Sequence, residues 1–176
     1  MMDGKKNLLK SVIWAVVAVS LVTLASVVSC SAAALEVIGA EEHVTILPAG
    51  MTARARIDTG ATTSSIGISS SQRFERDGKQ WIKFSIKDRD SDKTIEFEEP
   101  ITRIANIKRH GAEVQNRPTV KLTIELGQQK MKREFTLADR VKFKYPVLIG
   151  RNVLTGHYVV DVSKKYSGIQ AQEQEK

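Results

Sequence analysis

The chain has 176 residues, a formal net charge of +7, 6% aromatic residues and a single cysteine. One cysteine excludes an internal disulfide framework, and the length beyond the apolar N-terminal stretch suits one domain that can bury a core without disulfides or metals. Aromatic residues are few, and the positive charge alone does not point to nucleic acid.

Residues 1–10 carry Lys5, Lys6 and Lys10, and residues 11–28 carry no charge. A basic start before an apolar run is the pattern of a secretory signal or a membrane anchor. The run closes on Val27-Val28-Ser29-Cys30, which resembles a bacterial lipobox. That resemblance implies a leader over 1–29, a lipid on Cys30 that anchors the chain to a membrane, and, with Ser31 next, an outer-membrane lipoprotein facing the periplasm. An uncleaved anchor and cleavage after Ala34 are the alternatives, and all three place the folded part outside the cytoplasm. Lipidation explains a lone cysteine here better than catalysis or metal binding does. A linker is expected over 30–37, one domain over 38–166, and a polar, disordered tail over 167–176.

Within the domain, Ala55-Arg56-Ile57 alternates like a strand and delivers Asp58 into Thr59-Gly60. A lone carboxylate is costly to bury unless a partner or several hydrogen bonds hold it. Gly60 lets the backbone turn sharply and approach a ligand, and Thr59 supplies a hydroxyl to lock the turn. On these residues alone Asp58 is either half of a catalytic carboxylate pair or the cap of its own loop.

Short strands follow. Asp77-Gly78 marks a hairpin turn before residues 81–87, where Ile82, Phe84 and Ile86 face inward. Residues 94–97 and 101–107 continue the series. Residues 119–126 alternate strictly, with Val120, Leu122, Ile124 and Leu126 on one face and Thr119, Lys121, Thr123 and Glu125 on the other. Leu126-Gly127-Gln128 turns the chain into residues 131–137. No helical period is sustained between Glu41 and Tyr145. Lys83, Lys87, Lys130 and Lys132 alternate along strands: a solvated face, or, more sharply, a surface for acidic partners such as anionic envelope polymers or glutamate-rich peptides. Residues 145–149 read as a buried strand that ends in Gly150-Arg151-Asn152, with a short helix expected over 152–155.

The segment Asp58-Thr59-Gly60-Ala61, followed much later by Leu148-Ile149-Gly150-Arg151-Asn152, resembles the retropepsin-like aspartic proteases. Ile38-Gly39, Glu42, Leu47-Pro48, Asn116-Arg117-Pro118, Thr136-Leu137-Ala138-Asp139-Arg140, Tyr145-Pro146 and Val160-Asp161-Val162-Ser163 narrow the likeness to a bacterial family labelled ATP-dependent zinc proteases. The resemblance spans 38–166. It implies an all-β, retropepsin-like acid-protease barrel with one Asp-Thr-Gly per chain and a short C-terminal helix. It also implies that Asp58 is catalytic, Thr59 hydrogen-bonds across a two-fold axis, Gly60 meets substrate backbone, and Ala61 and Thr62 continue the loop. Ile149, Gly150, Arg151 and Asn152 would support that loop, and a hairpin between Lys83 and His110 would cover the substrate. Retroviral relatives pair the arginine with an acid two residues after the motif's glycine. Thr62 stands there instead, which leaves Arg151 to brace the loop through backbone carbonyls.

Aspartic proteases use two carboxylates close enough to share one proton; the ionised member activates water and the protonated one polarises the peptide carbonyl. Asp77, Asp139 and Asp161 lack the Thr-Gly context, so the mechanism requires a homodimer with one Asp58 from each copy, acting on a peptide or protein substrate. No cofactor is expected. His43, His110 and His157 show no metal-ligand spacing, no phosphate-binding Gly-x-x-x-x-Gly-Lys loop exists, and no Gly-x-Ser-x-Gly supports Ser64 or Ser65 as a nucleophile. The competing reading is a non-catalytic module that binds a peptide or envelope component, or regulates a partner, through the same groove.

Overall fold

The computed structural model describes residues 34–88, 93–109, 112–140 and 142–167. The leader, Cys30, His110 and the tail beyond Ser167 lie outside the described residues. Among the described residues the order is β1 Glu36–Gly39, β2 Glu41–Leu47, β3 Met51–Ile57, β4 Ser64–Gly67, β5 Ser70–Arg76, β6 Lys79–Lys87, β7 Thr94–Pro100, β8 Arg103–Arg109, β9 Ala112–Leu126, β10 Gln129–Ala138, β11 Val147–Ile149, α1 Arg151–Leu154 and β12 Tyr158–Asp161. β10, β4, β11, β3, β2 and β9 form a ring that the β9–β10 pairing closes into a barrel. The molecule is thus the all-β, retropepsin-like barrel, with one Asp-Thr-Gly per chain and a short C-terminal helix.

Period-2 alternation builds the barrel. Met51, Ala53, Ala55 and Ile57 of β3, Val44 and Ile46 of β2, and Val120, Leu122, Ile124 and Leu126 of β9 all turn into one buried core. Residues this deep resist truncation, and Leu122→Ala is worth about 2–5 kcal/mol of stability. A separate sheet in the order β5-β6-β7 lays Ile82, Phe84, Ile86 and Phe97 onto the same core. Asp77 and Gly78 both take positive φ in its two-residue hairpin, the conformation that the sequence pattern anticipates.

Several boundaries differ from the sequence expectation. β1 begins at Glu36, within the stretch read as linker, because Val37 pairs in parallel with Val159 of β12. β5 went unread: six of its seven residues are exposed, so it lacks the buried alternation that marks a strand. Thr119, on the face opposite Val120, is fully buried, since β8 and β10 flank it and Thr102 donates both its N–H and Oγ to the Thr119 carbonyl. β9 runs past the barrel. Its residues 119–126 pair with β10, whereas 112–118 pair with β8 to make a hairpin extending from the barrel end. Ser167 at the start of the presumed tail is bound to Glu42 through both N–H and Oγ.

Candidate active site

β3 ends at Ile57, and the next residue is the only aspartate that the fold sets in a Thr-Gly turn. The Asp58 N–H donates to the Ile149 carbonyl at 2.8 Å, so β11 fixes the exit of β3. Asp58 Oδ1 accepts N–H bonds from Gly60 at 2.9 Å and Ala61 at 3.1 Å. Among the described residues no donor engages Oδ2. One carboxylate oxygen is therefore fastened to its own loop and the other is left without a donor among the described residues.

Residues 150–152 hold the loop from behind. Arg151 Nη1 donates to the Thr59 carbonyl at 3.0 Å and the Gly60 carbonyl at 2.7 Å, and Nη2 donates to Thr62 Oγ1 at 2.9 Å. The Arg151 and Asn152 N–H groups donate to the carbonyls of Ala61 and Thr62. A Cβ on Gly150 would meet the Ala61 carbonyl oxygen at 2.9 Å, so the two segments touch backbone to backbone. Asn152 Oδ1 accepts from both N and Oγ of Ser64, its Nδ2 donates to the Glu134 carbonyl, and Ser64 Oγ accepts from the Gly150 N–H at 2.9 Å. Ile149 is fully buried in the core. The structure thus brings together Asp58, Thr59, Gly60, Ala61, Thr62, Ile149, Gly150, Arg151 and Asn152, which are separated by about ninety residues in the chain.

Grooves flank the loop on two sides. One, of about 380 Å³, is lined by Ala40, Glu41, Arg56, Ile57, Asp58, Thr59, Val160 and Val162. Glu41 is the other carboxylate on it and is already engaged by Lys165 at 2.8 Å and by the Tyr166 hydroxyl. Hydrogen bonding from Lys165, then from Tyr145, holds its carboxyl down at about 2. The second groove, of about 510 Å³, runs between Ala61, Thr62, Thr63 and the β8–β9 hairpin, with Ala105 and Ile107 on its wall and Arg103, Arg117 and Arg140 around it. Arg103 bridges to the loop, donating to Thr63 Oγ1 and, through Nε, to Glu134 at 2.9 Å. Burial pushes the Glu134 carboxyl up, but hydrogen bonds from Arg103 and Thr102 outweigh it and hold it below the ordinary range.

Sequence reasoning missed Ser64, Arg103, Glu134 and Arg140. Ser64 and Arg140 stood inside quoted motif runs without a part assigned to them; Arg103 and Glu134 carry no local pattern and meet the loop only through the fold. Of the described histidines, His43 packs on Tyr166 with the rings tilted by 31°, and His157 Nε2 contacts Arg133 Nη2 at 3.0 Å. Among the described residues no group of three or more His, Cys, Asp or Glu is placed to hold a metal ion.

Residues 37–171 match the RimB-like family, described as the retropepsin-like aspartic endopeptidase RimB. The chain belongs to the RimB-like family. Curated relatives of this family member include a probable alpha-L-glutamate ligase of Shewanella halifaxensis, 31% identical over 133 residues, covering 74% of this chain and 29% of the relative. Another, from Parasynechococcus marenigrum and of the same name, is 28% identical over 128 residues, covering 71% of this chain and 28% of the relative. The RimB-like chain thus spans less than a third of the length of the curated relatives it matches. A crystal structure of a Legionella pneumophila protein of unknown function shares the fold, with a TM-score of 0.66 and 24% identity over 77% of this chain and 99% of that one.

Proposed function

We propose that the chain is an aspartic endopeptidase of retropepsin type that cleaves peptide bonds with water activated between Asp58 of one copy and Asp58 of a second. The carrying observation is the state of Asp58, which lines a groove with Oδ1 tied to the Gly60 and Ala61 N–H groups and Oδ2 without a donor among the described residues. Fixing one oxygen orients the other without neutralising it, as a carboxylate that takes a proton from water requires. With a second Asp58 adjacent, the pair shares one proton and the two titrations separate. The protonated member then donates to the substrate carbonyl oxygen while the ionised one accepts the water proton, and the tetrahedral intermediate collapses as the amide nitrogen leaves protonated. Glu41 in the same groove, held ionised by Lys165, is no substitute for the second aspartate.

The arginines of the second groove and the net positive charge favour an acidic peptide. The names of the longer relatives speak of alpha-L-glutamate, which makes glutamate-rich chains the first substrates to try. In the same reading Cys30 is lipidated and the domain faces the periplasm from the membrane it is anchored to.

A peptide library with glutamate-rich members, assayed from acidic to neutral pH on the full-length chain, tests the reading. Asp58→Asn keeps the fold by circular dichroism and lowers kcat by about 10²–10⁴-fold. Full activity in that variant overturns the assignment.

A further inference from the structure

Among the described residues, β8 from Ile104 onward and β9 up to Pro118 pair only with each other, and β9 joins β10 from Thr119. A two-stranded hairpin is marginal by itself in water, so the contacts at its foot decide how it stands. Two consecutive residues make those contacts with one carboxylate. Thr102 Oγ1 donates to Glu134 Oε1 at 3.1 Å, and Arg103 Nε donates to Glu134 Oε2 at 2.9 Å. An isolated ion pair at a surface contributes little, but a cation that also serves a second acceptor within a network contributes more. Arg103 has that second acceptor: its Nη2 donates to Thr63 Oγ1 at 3.2 Å.

Thr63 belongs to one wall of the second groove and Arg103 to the other, so a single guanidinium joins them. The far side of the link is anchored as well. The Glu134 carbonyl accepts from Asn152 Nδ2 at 2.8 Å, and Asn152 Oδ1 accepts from the N–H and Oγ of Ser64. Thr63, Arg103, Glu134, Asn152 and Ser64 thus form a closed circuit through the hairpin foot, β10 and the loop after Asp58. The reacting carboxylate is held separately, by the Gly60 and Ala61 N–H groups and by Arg151 through the loop carbonyls. We propose that Arg103, paired with Glu134, is a positioning residue that holds the β8–β9 hairpin against the loop and so sets the width at which the second groove takes a peptide. The inference rests on the aspartic-peptidase reading and adds to it a residue that governs peptide binding and not the chemical step.

The test measures cleavage of neutral and glutamate-rich peptides, and amide hydrogen exchange without peptide, on the full-length chain in mild detergent. Arg103→Gln and Glu134→Ala each raise KM about fivefold for both kinds of peptide and leave kcat unchanged. The double variant is no worse than either single one, because both remove the same link. Exchange of the amides of β8, and of β9 before Pro118, speeds about fivefold in both single variants, while that of β5, β6 and β7 does not change. Arg76→Gln, which breaks the exposed pair with Glu98 on the separate sheet, moves neither KM nor hairpin exchange. Should Arg103→Gln lose its fold, Thr63→Val keeps the shape and the ion pair, removes only the acceptor, and raises KM about threefold. A rise in KM confined to glutamate-rich peptides, with Glu134→Ala binding them as well as wild type, overturns the inference and makes Arg103 a direct contact to substrate. If wild type cleaves no peptide, the peptidase reading falls and exchange alone decides: faster hairpin exchange keeps the link between hairpin and loop, and unchanged exchange removes it.

Discussion

Arg151 commits its guanidinium to backbone: two carbonyls of the Asp58 loop accept from Nη1, and Thr62 Oγ1 accepts from Nη2. The threonine therefore replaces the acid of retroviral enzymes without leaving the cation unsatisfied, which removes one motive for a non-catalytic reading. Lysine carries a single ammonium and cannot span the same three acceptors. Arg151→Lys is expected to cost about 1.5–3 kcal/mol, the range for hydrogen bonds to a charged group, read by urea denaturation. Cleavage should fall about a hundredfold because a small displacement of the reacting carboxylate is amplified in rate. Gly150→Ala pushes a methyl group against the Ala61 carbonyl at 2.9 Å and the Thr63 carbonyl carbon at 3.0 Å. Both neighbours are backbone and cannot swing aside, so about 1–3 kcal/mol is lost and the loop moves. These two residues could be picked out in the sequence because the motif spacing marks them. Ser64 could not be assigned a part there: a buried hydroxyl that donates to Asn152 and accepts from Gly150 looks, in the chain, like one more serine in a Thr-Thr-Ser-Ser run.

At the scale of elements, the segment after β12 is strapped across the start of β2. The Tyr166 N–H donates to the Glu41 carbonyl, Ser167 donates twice to the buried Glu42, and the Lys164 carbonyl accepts from the Ala40 N–H. Gly39 leaves room for this strap, since a Cβ there would overlap the Lys164 carbonyl. Because Ala40 and Glu41 also line the Asp58 groove, the strap holds one wall of the site. Its chief charged contact is Glu41 with Lys165, and the pH dependence follows. Glu41 titrates at about 4.5 unfolded and at about 2 folded, so the folded state binds its proton less readily. The stability this gives is fully present above pH 4.5 and drains away as pH falls toward 2. In urea melts, the advantage of wild type over Glu41→Gln should be constant at neutral pH and shrink steadily across that window; a gap that does not change with pH contradicts the ion pair's part. None of this strap could be read from sequence, where 167–176 looked like a polar tail. Some strands, by contrast, were legible from alternation, as in 119–126, whereas β2 went unread despite its buried face, and β5, at the edge of the separate sheet, leaves the alternation unmarked.

Over the whole molecule, the chain supplies one Asp-Thr-Gly loop with a groove on either side of it. The two hallmark segments were legible in the chain because each is a contiguous run, and the barrel followed from the family likeness they carry. The groove walls were not, because β8, β9 and β12 reach the loop from distant parts of the sequence. If catalysis belongs to the pair and not to the chain, mixing experiments will count the carboxylates. Tagged wild-type and Asp58→Asn chains, co-expressed in equal amounts and free to exchange, assort at random into two-fold pairs, so about one quarter of pairs keep both aspartates. Activity per total protein should then be about a quarter of wild type. Mixed pairs still contain one ionisable Asp58 each and will bind substrate, so the KM of the residual activity stays at the wild-type value while its kcat scales with the fraction of intact pairs. A residual activity of about one half is the signature of chains acting singly, because half of all chains still carry the carboxylate, and that outcome would refute the shared-proton mechanism.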